Sequence, residues 1–351
     1  MAHIISIGLV IFIILSSVVA LILLAKKNPL THPFVESHGK IIKESIAEQL
    51  FLPLGGTKQW ISLRGINKNN PILIFLHGGP GISLHALFRY FHHDLENHFL
   101  IVGWDQRGTG KSYNSSIPPS SMNIDTFISD LKQLVDYLKK RFNKNKVYIL
   151  GESWGSLLGI LYSYKYPEDV AAYIGTGQIT NMKESEKISF EFTLSEAKKR
   201  KNKKAITELS KIQQPSGTNL KDLAIQRKWL LKFGGALYKK TSYLPWILKL
   251  LSTKKYSCID VINYFRGQRF SLKFLWKQIF ETNFFKQISK LNVPVYFLLG
   301  KHDNQVSSHL AQKYFNFLKA PKKKLIWFEN SGHNPMFEEP EKFNNTILKI
   351  L

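Results

Sequence analysis

Cysteine is almost missing from this chain: Cys258 is the only one in 351 residues. No disulfide can close within it, so burial has to hold the fold, and a 44% hydrophobic content is ample for that. A lone thiol reads as a small apolar side chain rather than a nucleophile. Acids are scarce as well, with 25 aspartates and glutamates against 49 lysines and arginines and a net charge of +24. That balance invites a nucleic-acid reading, but no recognised nucleic-acid module accompanies it and the lysines are scattered. No nucleic-acid partner is expected; adhesion to an anionic leaflet suits the charge better. No histidine and cysteine group has metal-ligand spacing, and His85, His92 and His93 read as surface residues of one helix. The run Gly108-Thr109-Gly110-Lys111-Ser112 lacks phosphate-loop spacing, because the position five before Gly110 is Asp105. Neither a metal nor a cofactor is expected.

One long hydrophobic run is present. Residues 4–25 are apolar apart from Ser6, Ser16 and Ser17, enough to span a bilayer at about 1.5 Å per residue. Lys26 and Lys27 follow it at once. A cleaved signal peptide calls for a basic start and a shorter apolar region, so an uncleaved single-pass anchor is expected. The flanking lysines place the rest of the chain on the cytoplasmic side of the membrane.

The chemistry is carried by three stretches far apart. Gly151-Glu152-Ser153-Trp154-Gly155 follows an apolar run, residues 146–150, and precedes a helix-like segment, residues 156–166. A serine on a tight strand-to-helix turn has its hydroxyl pushed out at the top of a sheet, above a helix N-terminus. Side chains at Gly151 and Gly155 would collide with the adjoining strand and helix. The run Val293-Pro294-Val295-Tyr296-Phe297-Leu298-Leu299-Gly300 reads as a buried strand with Asp303 at its exit. The next apolar run, residues 324–328, leads to Asn330-Ser331-Gly332-His333, and a helix-like tail closes the chain. Ser, Asp, His in that order, each after a strand, is the order of a nucleophile, an orienting acid and a general base. Upstream, strand 71–76 runs into His77-Gly78-Gly79-Pro80-Gly81, a loop bare enough to bring backbone N–H groups to an oxyanion. Gly79 and Trp154 are the expected donors. A further strand, 100–104, ends in Asp105-Gln106-Arg107-Gly108.

These runs resemble the proline iminopeptidases, prolyl aminopeptidases of the α/β-hydrolase superfamily. The resemblance rests on His77 to Gly81, on Gly103-Trp104-Asp105-Gln106-Arg107-Gly108-Thr109-Gly110-Lys111-Ser112, and on the elbow through Ser156. It covers most of residues 50–180 and 290–351. At Glu152 the chain departs from the family's usual Gly-Gly-Ser. The resemblance implies Ser153 as nucleophile with Asp303 and His333 as partners, and Gly79 with Trp154 around the oxyanion. It also implies glutamates in a cap that hold the substrate's α-ammonium. The candidates in the first cap helix are Glu184, Glu186, Glu191 and Glu196. Glu191 is chosen because it lies in the otherwise apolar stretch Ile188-Ser189-Phe190-Glu191-Phe192.

The fold expected is therefore an α/β-hydrolase: a mostly parallel sheet flanked by helices, with a helical cap insertion and one N-terminal transmembrane helix. The divisions are an anchor at 1–27, a linker at 28–49, core at 50–179, cap at 180–286 and core again at 287–351. Helices are expected in the cap at 185–204, 220–233 and 271–285. The function expected is membrane-anchored serine hydrolysis, an aminopeptidase acting on small peptides, with a carboxylesterase or lipase as the alternative. An intact Ser153, Asp303 and His333 argue against a protein of this fold that only binds.

Overall fold

The computed structural model describes residues 31–252 and 258–351. The run at residues 4–25, expected to be a membrane anchor, lies outside them. Among the described residues no helix is long and apolar enough to cross a membrane.

Eight strands form one sheet: β1 (Ile46–Leu54), β2 (Thr57–Gly65), β3 (Ile72–Leu76), β4 (Leu100–Trp104), β5 (Val147–Glu152), β6 (Val170–Thr176), β7 (Val295–Gly300) and β8 (Lys323–Phe328). Their spatial order is β1-β2-β4-β3-β5-β6-β7-β8. The first two strands pair antiparallel, β2 meets β4 antiparallel, and everything from β4 to β8 is parallel. β1 opens at Ile46, inside the stretch read as linker. Its Leu52 and Leu54 turn inward while Phe51 and Pro53 stay exposed, an edge-strand alternation.

The central strands are buried on both faces and read as unbroken hydrophobic runs. In β3, Ile72, Ile74 and Leu76 join one core cluster with Leu131 and Leu157 from helices Ile124–Phe142 and Trp154–Lys165. Leu73 and Phe75 point the other way, to Phe88 and Phe343 from helices His85–His92 and Pro340–Leu348. The parallel strands all end on one edge. Because β3 has β4 on one side and β5 on the other, that edge contains a topological switch point, where such sheets form their binding crevice.

Between β6 and β7 the described residues are mainly helical. Helices Met182–Lys199, Lys203–Leu209, Leu220–Lys232, Leu244–Ser252 and Cys258–Phe280 form a cap. Asn181, Asn202, Asn219 and Asn283 start helices by accepting backbone N–H bonds on their side chains. That device explains why the expected helix at 185–204 is two: Lys201 takes a positive φ and Asn202 caps a new start. The last long cap helix begins at Cys258, well ahead of the 271 expected. The cap has its own apolar cluster around Ala197, Leu209, Trp229 and Phe233. It docks on the core through Gln278, which donates to the Met122 carbonyl at 3.2 Å and accepts from the Ile124 amide at 3.1 Å.

Candidate active site

Ser153 sits between β5 and the helix Trp154–Lys165, with φ 51° and ψ −115°. A non-glycine residue held there is strained, and the surroundings enforce it: its amide donates to the Thr176 carbonyl at 2.9 Å. Close approach explains the flanking glycine. A Cβ on Gly155 would lie 1.9 Å from the Leu76 carbonyl oxygen, so any side chain would drive the elbow off the sheet.

Asp303 leaves the end of β7 and His333 the end of β8. Nδ1 of His333 is 2.8 Å from Oδ2 of Asp303. The other carboxylate oxygen, Oδ1, accepts from the amides of Gln305 and Val306, both at 2.9 Å, which fixes the plane of the carboxylate. Both side chains are buried. Nε2 of His333 is buried too and makes no hydrogen bond within the protein. Of the other nearby acids, Glu329 pairs with Lys301 at the surface. Glu338 accepts from the amides of Gly332 at 2.9 Å and Asn334 at 3.2 Å, holding the loop that carries His333. The cap contributes here as well: the Ala236 carbonyl accepts from the His333 amide at 2.8 Å, and Gly235 accepts from Asn304 at 2.9 Å.

The loop after β3 is tied to the elbow by one side chain. Gln106 donates through Nε2 to the His77 carbonyl at 3.2 Å and accepts through Oε1 from the Trp154 indole at 2.7 Å. The backbone amide of Gln106 also reaches Nε2 of His77, at 3.4 Å, while Nδ1 of His77 lies 2.9 Å from the Gly78 carbonyl. Burial drives the pKa of His77 down to about 4, so the ring is a neutral strut. No local sequence pattern encodes this link, although Gln106 belongs to the Asp105-Gln106-Arg107-Gly108 run.

These elements surround a cavity of about 460 Å³ between core and cap, lined by Gly79, Ser153, Trp154 and His333 among others. Gly79 and Trp154, the expected oxyanion donors, thus line the same cavity as Ser153. The rest of its wall is mainly apolar, with Met182, Trp246, Leu272 and Trp276 from the cap.

Glu191 does not belong to this wall. It is exposed on helix Met182–Lys199, whose buried face carries Ser185, Glu186, Ser189, Thr193 and Ala197. Two residues past Ser189 is roughly 200° around a helix, so Glu191 points to solvent whatever its neighbours are. The buried acid of that helix is Glu186, paired with Arg227, whose Nη1 donates to Oε2 at 3.1 Å. His92 also corrects expectation: it is buried, its ring tilted against those of Phe88 and Phe343, with Nδ1 2.7 Å from Asn344 Oδ1. Helix His85–His92 packs that face against the sheet.

Electrostatics favour a base at His333. Burial alone would lower its pKa, but the Asp303 carboxylate and, more weakly, Glu152 outweigh it and raise the value above that of a free imidazole. Glu152 is raised to about 7, first because it is buried, with His333 and the Gly78 backbone pulling the other way.

The family model for the alpha/beta hydrolase fold matches residues 71–340. The protein named "Probable aminopeptidase YbaC" of Bacillus subtilis (strain 168) is 34% identical over 309 residues, covering 88% of this chain and 97% of that protein. A proline iminopeptidase of Saccharolobus solfataricus is 26% identical over 321 residues, covering 82% and 86%. Among solved structures, proline iminopeptidase of Mycobacterium smegmatis superposes with a TM-score of 0.63 at 14% identity over 86% of this chain and 97% of its own, a likeness of fold. The chain belongs to the α/β-hydrolase family and is a hydrolase that resembles the proline iminopeptidases within it.

Proposed function

We propose that this protein is a serine aminopeptidase that releases an N-terminal residue, proline by resemblance, through an acyl-enzyme on Ser153. The observation that carries this reading is the 2.8 Å contact between Asp303 and His333 Nδ1, at the wall of the cavity that Ser153 faces. Asp303 holds the proton on Nδ1 and leaves Nε2 bare. Nε2 takes the hydroxyl proton as Ser153 Oγ attacks the carbonyl carbon. The C=O pair moves onto oxygen, and the amides of Gly79 and Trp154 receive the oxyanion. Collapse breaks the C–N bond, and the leaving amine takes the proton from His333. Water then repeats the sequence on the ester, returning Ser153 and the free amino acid. The cap excludes bulk water from these steps.

The 4–25 segment is the membrane anchor in this account, with the hydrolase on the cytoplasmic side; its length and the lysines behind it support that. A carboxylesterase is the second reading, favoured by the apolar cavity wall. Rates on L-prolyl-β-naphthylamide, its N-acetylated form and p-nitrophenyl acetate separate the two. The aminopeptidase hydrolyses the free-amine amide and not the blocked one; activity on the ester alone removes it in favour of the esterase.

A further inference from the structure

We propose that Glu152 is the residue that receives the substrate's α-ammonium, so that the acid recognising the free amine comes from the nucleophile's own strand and not from the cap. This rests on the aminopeptidase reading above and names the group that reading requires.

Three observations on the cavity point there. First, among its described lining residues Glu152 is the only carboxylate. The acids of the first cap helix are otherwise placed: Glu186 is taken by Arg227, Glu196 by Arg200 at 3.0 Å, and Glu184 and Glu191 are exposed. Second, Glu152 is 3% exposed, and its Oε2 has no hydrogen-bond partner in the protein. The Gly78 backbone and His333 offset only part of what burial costs this carboxylate, and a cation would offset more of it. Third, the space for it is built in. A Cβ on Gly78 would lie 2.0 Å from Oε2, so the bare loop after β3 is what lets the carboxylate lie beside the oxyanion loop.

Covalent geometry then places the ammonium. In an aminopeptidase substrate the amine nitrogen is two bonds from the carbonyl carbon, roughly 2.5 Å away. A substrate carbonyl over Ser153 therefore holds its ammonium close to the residue next in sequence. Oε1 of Glu152 is 3.7 Å from His333 Nε2, so the carboxylate also borders the atom that moves the proton. The titratable groups facing Glu152 are His333, Asp303, Tyr243 and Tyr264. Among the described residues of the same cavity wall, Arg227 is the fixed cation, and its charge is paired with Glu186. With a carboxyl pKa of about 7, a neutral acyl group meets a largely protonated Glu152 at mildly acidic pH, whereas an ammonium draws the proton off and pairs with it. The apolar wall beyond leaves room for an uncharged side chain. The substrate class is thus an α-amino acyl amide with a free amine and an apolar first residue.

The test compares full-length wild type with Glu152→Gln and Glu152→Asp, on L-prolyl-, L-alanyl- and L-leucyl-β-naphthylamide and on p-nitrophenyl acetate. The expected result is that Glu152→Gln lowers the ratio of amide to ester kcat/KM at least about tenfold, mainly through KM, with partial recovery in Glu152→Asp. In Glu152→Gln the acid-side fall in amide kcat/KM should match that of the ester, because only His333 still titrates there. If wild type hydrolyses the amides and the ratio is unchanged in Glu152→Gln, this inference is overturned while the aminopeptidase reading stands. Equal losses on both substrates overturn it too and make Glu152 a positioning group for His333. Failure of wild type on every free-amine amide, with ester turnover intact, overturns the aminopeptidase reading and the inference with it.

Discussion

Arg107 forks onto Asp130: its Nε is 2.9 Å from Oδ2 and its Nη2 2.9 Å from Oδ1, with both side chains fully buried. Gln59 donates to the same Oδ2 at 2.7 Å, and Arg107 also reaches the Gly55 carbonyl at 2.7 Å. The arginine of the Asp105-Gln106-Arg107-Gly108 run thus fastens the first hairpin and helix Ile124–Phe142 to the loop beneath the site. Arg107→Met strands a buried carboxylate and should cost about 3–5 kcal/mol in urea unfolding. Replacing both partners, Arg107→Met with Asp130→Leu, should recover much of that loss. Full stability in the single variant contradicts this assignment. Neither residue lines the cavity, so kcat of the folded fraction should stay near wild type.

Gln106 does the opposite work. Its side chain joins the Trp154 indole to the His77 carbonyl and so sets the elbow against the loop carrying Gly79. Gln106→Leu leaves both groups unpaired, at about 1–3 kcal/mol each before relaxation. Turnover of p-nitrophenyl acetate should fall roughly tenfold or more, because the expected oxyanion donors lose their common brace. A variant that is less stable yet turns over at the wild-type rate shows that Gln106 supports only the fold.

The Ser153, Asp303 and His333 positions were legible because each follows an apolar run that could only be a buried strand, and parallel strands end on one edge. The long cap was legible as helix from its length, but its inward face was not. Phe190 and Phe192 made Glu191 look enclosed, whereas Ser185, Ser189 and Thr193, small and polar, form the buried face. There Gln226 donates to Ser189 Oγ at 2.8 Å, a contact between elements that no local pattern encodes. The Gln106–Trp154 bond spans 48 positions and is equally silent in sequence. His92 was misplaced for a related reason: a histidine beside another histidine reads as surface, yet an aromatic nest takes it.

Acid should switch the enzyme off. His333 acts only when Nε2 is unprotonated, and Asp303 and Glu152 hold its pKa above the free value of about 6.5. Ester kcat/KM should therefore fall as pH drops through a midpoint above 6.5. Asp303→Asn removes the stronger neighbour, so turnover should fall by several orders of magnitude. A pH profile whose midpoint lies well below 6.5, or an Asp303→Asn variant with near-normal turnover, speaks against the assignment.

Deleting residues 1–27 tests the anchor proposal. The truncated protein should leave the membrane fraction and keep its specific activity on p-nitrophenyl acetate. Retention in the membrane fraction means that something in residues 28–351 binds the bilayer.

Ser153 is the proposed nucleophile, on which every step depends. Purified protein treated with a fluorophosphonate probe should carry the label on Ser153 when its peptides are sequenced by mass spectrometry, and Ser153→Ala should take up none. Label found on another residue, or undiminished in Ser153→Ala, contradicts the account.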